Sequence, residues 1–369
     1  MRSSYHLGLA GLDDDCELRA CMRRNCMGGD ISVSFRREPN YFLGCCVQGE
    51  CSEIIKCTES DTGRIVGLGA RHISEMNVNG VSKKVGYLAD LRIEPNVRNG
   101  TILARGYHYL RTLQSITPVD YHYSMVLANN VSALDIVTSG RAGLPRYSSM
   151  GKVLSPAIFL DLPKRAINIK GIHFSKANTS NVNVVFDFIQ KQYKRKQFSP
   201  VYHSSDLMSG RLRGLLYKDI YIAYRGNTIV GTIAAWDQGK FRQTHIESYS
   251  KILRFIRPVH NALSTLTPLK QLPQLGSHIP YVYFSLMAVL DDDINIFRAL
   301  LRHVYRERRR GSWHYAVAGI HEDSALAEVI KEYRHISSSG ELYSIDFEER
   351  GASLPALDDR TPHVEIASI

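Results

Sequence analysis

Nowhere does the chain carry an apolar run approaching the ~20 residues that a membrane span requires. The segment Met1 to Leu9 has no apolar core of signal-peptide length. A cytoplasmic protein with no membrane partner is therefore expected. Cysteine is absent after position 57, and the seven that precede it (Cys16, Cys21, Cys26, Cys45, Cys46, Cys51 and Cys57) include no Cys-x-x-Cys pair with a matching His-x-x-x-His. Cys16, Cys21 and Cys26 recur every five residues, which spreads them around a helix, so reduced core thiols are expected rather than a metal site or a disulfide framework. No Ser-His-Asp or Cys-His spacing is recognisable, and covalent catalysis is not indicated.

What the chain does contain describes a globular protein. Its 44% hydrophobic and 22% charged content suits a packed core, and 369 residues suit two domains at on the order of 100 to 200 residues each. Lysine and arginine number 46 against 36 acidic residues, a net charge of +10, which favours an anionic partner: nucleic acid, an anionic surface or a small phosphorylated ligand. The basic runs 302–311 and 191–196 read as solvated helix ends. Stacking aromatics are not interleaved systematically in them, so nucleic acid is not favoured.

Two pairs of segments repeat in register. "RIVGLGA" (64–70) matches "TIVGTIA" (228–234), each after a turn; "HYSMVLANNVSAL" (122–134) matches "HYAVAGIHEDSAL" (314–326). A tandem duplication is inferred. The recurrence of His122 and His314 reads as inheritance with a structural role. Periodicity in the first half gives a helix over about 13–26, a hairpin over 51–76, a strand over 84–94, a helix carrying Ile102, Leu103, Tyr107, Leu110 and Leu113, a strand over 121–127 and a helix from Asn130 to about Ser139. On the strand, Val85, Tyr87, Ala89, Leu91 and Ile93 alternate with Asp90, Arg92 and Glu94. The second half repeats this order with an insertion near 240–278. The expected fold is α/β (α+β), with domains over 1–165 and 166–349, each a mixed, mostly antiparallel sheet flanked by helices. A flexible tail is expected over 350–369.

The stretch "LADLRIEPNVRNGTILARGYHYLRTL" (88–113) places a helix N-terminus directly after a strand, with Arg98 and Gly100 at its mouth and Asn99 as the expected N-cap. Free backbone N–H groups at such an end bind phosphate. A diphosphate held there lets an extended arm run along Leu91, Arg92 and Ile93.

"LRIEPNVRNGTIL" resembles the cofactor-binding strand, loop and helix of the GNAT family of N-acyltransferases, in which Arg or Gln is followed by two residues, Gly, one residue, and Gly or Ala. The resemblance covers the element order of 13–160 and, more faintly, 170–347. Arg98 matches; Gly100 stands one position early, and Thr101 and Leu103 occupy the places of the two small residues. The resemblance implies an acyl-CoA cofactor, acetyl-CoA or another, bound by Leu91, Arg92, Ile93, Arg98, Asn99, Gly100, Thr101, Ile102 and Asn130. It implies direct attack of a small-molecule or peptide amine on the thioester. Asp90 and Glu94 are then candidate bases acting through water with a raised pKa. The family's acidic tyrosine is replaced by Val137, leaving Tyr147 or Tyr123 as the proton donor. In the second half, Asp291, Asp292 and Asp293 cap the equivalent helix and would repel a diphosphate, so that half is expected to bind no cofactor. Two other readings stand beside N-acyl transfer: an aminoacyl-tRNA-dependent transferase on the paired fold, and a non-catalytic coenzyme A sensor.

Overall fold

The computed structural model describes residues 4–98, 101–141, 143–347 and 356–369. The chain begins with strand β1 (Tyr5–Leu9), helix α1 (Asp15–Arg24), strand β2 (Ile31–Arg36) and helix α2 (Tyr41–Gln48). The hairpin β3 (Cys51–Glu59) and β4 (Ile65–Val78) leads to β5 (Val81–Ile93), α3 (Thr101–Ile116), β6 (Tyr121–Leu127), α4 (Val131–Val137), β7 (Arg146–Leu154) and β8 (Ala157–Phe159). Next come β9 (Ile172–Lys176), α5 (Val182–Tyr193), β10 (Ser199–Pro200), α6 (Asp206–Ser209) and the hairpin β11 (Ile220–Arg225) and β12 (Thr228–Trp236). The insertion supplies β13 (Gln243–Tyr249) and α7 (Lys251–Leu263). The chain then forms β14 (Tyr281–Val289), α8 (Ile294–Arg308), β15 (Tyr315–Ala318), β16 (Ile320–His321), α9 (Ala327–Ile330), β17 (His335–Ile336) and β18 (Ser339–Asp346).

Local chemistry accounts for the principal helices. In α1, Asp15 and Glu17 open the first turn and Arg23 and Arg24 close the last, matching the helix dipole, while Leu18, Cys21 and Met22 are buried. In α8 the Asp293 carboxylate accepts from the N–H groups of Asn295 (2.8 Å) and Ile296 (3.2 Å), and the stripe Ile296, Phe297, Leu300, Leu301 and Val304 faces the core. The other two aspartates do not cap: Asp291 pairs with Arg195 at 2.7 Å and Asp292 with Lys196.

Two sheets repeat one plan. The first runs β1-β3-β4-β5-β6-β18-β7-β16, with β10 against β4, and the second runs β9-β11-β12-β14-β15-β8-β17. In each, antiparallel strands lead to one parallel pair, β5–β6 or β14–β15, whose crossover contains α3 or α8. The repeated segments lie on β4 and β12 and on β6 and β15, as the sequence repeat requires. The halves exchange strands, however. β8 joins the second sheet and β18 closes the first between β6 and β7, so the boundary at 165 divides the chain but not the sheets.

The tail corrects an expectation. Residues 350–355 lie outside the described set, but 356–369 is packed: Val364, Ile366 and Ala367 are buried, and Gln238 Nε2 donates to the Ala367 carbonyl at 2.8 Å. A strap that fills a slot in extended form needs no periodic pattern, which is why it reads as featureless.

Candidate active site

β5 and β6 pair only from Val85↔Tyr121 to Tyr87↔Tyr123, yet β5 continues to Ile93 and β6 to Leu127, so the two strands part. A bulge sets the parting: on β5 Asp90 and Leu91 stand opposite Gly69 alone, and Asp90 has φ 54°, the left-handed region costly for a residue other than Gly. The bulge also breaks the expected alternation. Leu91 is turned to the surface, 48% exposed, and Asp90 is turned in among buried groups.

The parting opens into a cavity of about 1120 Å³. One wall is β5 from Leu88 to Ile93, the other β6 from Ser124 to Leu127; α3 lies beneath, and β2, β13 and the Tyr281–Tyr283 end of β14 close the far side. Of the residues expected at the cofactor, Leu91, Arg92, Ile93, Arg98, Ile102 and Asn130 line it. Asn130 also caps α4, accepting from the Ala133 N–H at 3.4 Å. Arg98 Nε donates to the Ile93 carbonyl at 2.9 Å, tying the loop to the strand end. Thr101 is exposed and outside the lining, while Asn99 and Gly100 lie outside the described residues.

The two carboxylates expected as bases behave differently from that expectation. Asp90 lines the cavity, but its carboxylate accepts from the Tyr41 hydroxyl (2.9 Å), Arg37 Nη2 (3.2 Å) and Arg92 Nη1 (3.2 Å). Burial alone would raise its pKa; Arg37 and Arg92 outweigh burial and hold it well below the usual carboxylate range. Asp90 is thus a fixed anion and not a poised base. Glu94 is buried away from the cavity, clasped by Arg24 Nε at 2.8 Å and Arg64 Nη2 at 2.6 Å.

Tyr147 lines the cavity from β7, with its hydroxyl 2.6 Å from that of Tyr107 on α3. Burial, reinforced by Tyr107, pushes the Tyr147 phenol well above 10, so it keeps its proton. Tyr123 is buried in the core beneath, against Phe198. Among the described lining residues six are arginines (36, 37, 92, 98, 141 and 242) and Asp90 is the one acidic side chain; Arg37 and Arg92 pair with it and Arg36 with Glu247, so the positive excess rests on Arg98, Arg141 and Arg242 and favours an anion. Arg37, Arg242 and Tyr281 were not read from the sequence, and Tyr107 was read only as part of the apolar stripe of its helix; Arg242 lies in the insertion, whose role as a cavity wall had no periodic signal.

The second half has the same parting and a different fate. On β14 a bulge puts Leu286 (φ 48°) and Met287 opposite Ile233, and the ladder to β15 ends at Phe284↔Ala318. Here the strap occupies the gap. The Leu286 N–H donates to Glu365 Oε2 at 2.8 Å. At Gly319, just past β15, an added Cβ would lie 2.8 Å from Ile366 Cβ and 3.1 Å from the Val364 carbonyl, so glycine is what lets the strap through.

A sheet that parts at a bulge between its parallel strands, with the crossover helix below the opening, defines the GCN5-related N-acetyltransferase (GNAT) fold, present here twice. No protein-family model matches the chain, and no curated relative matches it by sequence. Solved structures do. A GCN5-related glucosamine N-acetyltransferase region of a fungal multi-domain GH3 β-N-acetylglucosaminidase matches at TM-score 0.63 and 13% identity, over 93% of this chain and 38% of that one. Saccharomyces cerevisiae N-myristoyltransferase with bound myristoyl-CoA matches at 0.59 and 10%, over 94% and 80%. A GCN5-related N-acetyltransferase from Sphaerobacter thermophilus matches at 0.53 and 10%, over 99% and 98%. The chain thus spans little more than a third of the fungal protein, and at these identities the likeness is one of fold.

Proposed function

We propose that the chain is an acyl-CoA-dependent N-acyltransferase that moves an acyl group, from acetyl-CoA or a longer acyl-CoA, to an amine within a ternary complex. One observation carries this reading: of two partings built alike, the first is open, arginine-lined and large, while the second is filled by the protein's own strap. The residues of the first fit an acyl-CoA. Beyond Leu88, whose carbonyl accepts from the Ser124 hydroxyl at 2.8 Å, the β5 edge offers backbone groups to an extended arm. Arg98 and Arg141 add positive charge to an exposed part of the lining, and Gly106 on α3 leaves open space, an added Cβ meeting nothing within 4 Å.

An acyl thioester supplies an activated carbonyl; the chain's residues align and discharge it. Asp90, its carboxylate committed to Tyr41, Arg37 and Arg92, fixes that wall of the cavity beside the amine, which enters neutral and gives up its proton to water as it attacks. Tyr147, protonated, gives its hydroxyl proton to the leaving sulfur as the C–N bond forms and the C–S bond breaks, and regains a proton from the water that received the amine's.

Titration calorimetry of the full chain with coenzyme A and acetyl-CoA tests the reading, alongside a Gly106→Phe variant whose ring fills the cavity. The expected result is binding that the variant loses, together with thiol release over a panel of amines. A chain that binds neither compound, or a variant that binds as well as the parent, sinks the proposal.

A further inference from the structure

Helix α7 is folded with its apolar side outward. Ile252, Phe255, Ile256, Val259 and Leu263, spaced to share one helical face, are all exposed, Phe255 at 87%; Leu266 continues the stripe, also at 87%. The polar side faces the protein instead. Arg257 Nε donates to the Pro273 carbonyl at 3.1 Å, Asn261 Oδ1 accepts from the Leu272 N–H at 2.8 Å while its Nδ2 donates to the Leu272 carbonyl at 3.0 Å, and His260 Nε2 meets the Lys270 carbonyl at 3.0 Å. No residue of α7 is buried. A contiguous apolar face held outward by its own polar side marks an interaction surface.

The charge around it selects the occupant. Between Glu247 and Asp291 the sequence has no acidic residue, whereas Lys251, Arg254, Arg257 and Lys270 are cationic, in a chain of net charge +10. We propose that α7 lies in the surface of an anionic lipid bilayer, its apolar face sunk roughly 5–10 Å to the acyl boundary and Lys251 and Arg254 among the head groups. The expectation of no membrane partner rested on the absence of a span, and an interfacial helix needs none; no described helix is long and apolar enough to cross a membrane. Leu272 and Pro273, which the polar side of α7 grips, also line the cavity, so docking brings the site to the lipid surface. The proposal stands on the helix alone and does not require acyl transfer.

Co-flotation of the full chain with vesicles of phosphatidylcholine plus phosphatidylserine, and of phosphatidylcholine alone, tests it at low and high salt. Two variants accompany the parent: Phe255→Asp with Val259→Asp, and Lys251→Glu with Arg254→Glu. All four side chains are exposed, so melting should be unchanged. The expected result is binding to the anionic vesicles that weakens with salt and drops at least ~tenfold in either variant. Absence of flotation overturns the proposal, as does flotation indifferent to the variants or to phosphatidylserine. Sedimentation revealing a dimer that the Phe255→Asp, Val259→Asp variant abolishes also overturns it, because the face would then belong to a second copy.

Discussion

Asp90 and Glu94 lie four residues apart near the end of one strand and come to differ because a single extra residue intervenes in the register. The bulge turns Asp90 toward Arg37, Tyr41 and Arg92, and Glu94 toward Arg24 and Arg64. Asp90→Asn keeps the shape but leaves buried cations uncompensated, and should lower unfolding stability by about 3–5 kcal/mol in urea titration. Tyr147→Phe removes the proposed donor while keeping the ring. It should lower kcat roughly 10²-fold or more with KM little changed; a kcat within a factor of about two of the parent would remove Tyr147 from the chemistry. Glu365 gives a pH signature. Burial, only partly offset by hydrogen bonds from Leu286, Ala367 and Tyr193, pushes its carboxyl up to about 7 from 4.5. Because the folded pKa is raised, the stability it contributes is complete below about pH 4.5 and is lost as pH rises through 7. The loss amounts to at most roughly 3 kcal/mol. Glu365→Gln should flatten that stretch of the stability curve and be the more stable protein at pH 8.

At the scale of elements, much was legible because periodicity and capping act locally. The hairpin at β3–β4, the strand at β6 and the helix starting after Asn130 follow from apolar spacing and turn residues, and the repeated Ile-Val-Gly segments landed on equivalent strands. Three elements were not legible, each for its own reason. The bulge at Asp90 is a register event between strands, invisible to an alternation count along one of them. The strap reads as coil because its partners, Leu286 and Gly319, are distant in sequence. α7 has a clear helical stripe, but a stripe does not say which side faces in. The site inherits these limits: the strand and Arg98 were readable, the cavity's far wall was not. Gly106, inside α3 with open space at its Cβ, supplies an element-scale check. Gly106→Ala should raise stability by about 0.5–1 kcal/mol through helix propensity, seen as a higher urea midpoint at unchanged slope, because nothing must move to admit the methyl.

For the whole molecule the deciding fact is the exchange of strands. β18 fills the centre of the first sheet between β6 and β7, and β8 sits between β15 and β17 in the second, so each half completes its sheet with a strand from the other. The strap adds a further crossing beside those of β10 on β4, β16 on β7 and β13 on β2: Glu365 and Ile366 pack into the second parting while Val364 packs with Tyr121 and Phe198 beside the first sheet. Removing either half would leave an internal gap in the ladder of the other, with unpaired backbone groups that cost more than a domain's marginal stability can absorb. The chain should therefore unfold as one unit. Differential scanning calorimetry is expected to give a single transition whose calorimetric and van't Hoff enthalpies agree. Residues 1–165 and 166–369 expressed separately should each fail to fold and should recover structure only when mixed. Two resolved transitions, or a cooperatively melting 1–165 fragment on its own, would mean that the exchanged strands are ornament rather than framework.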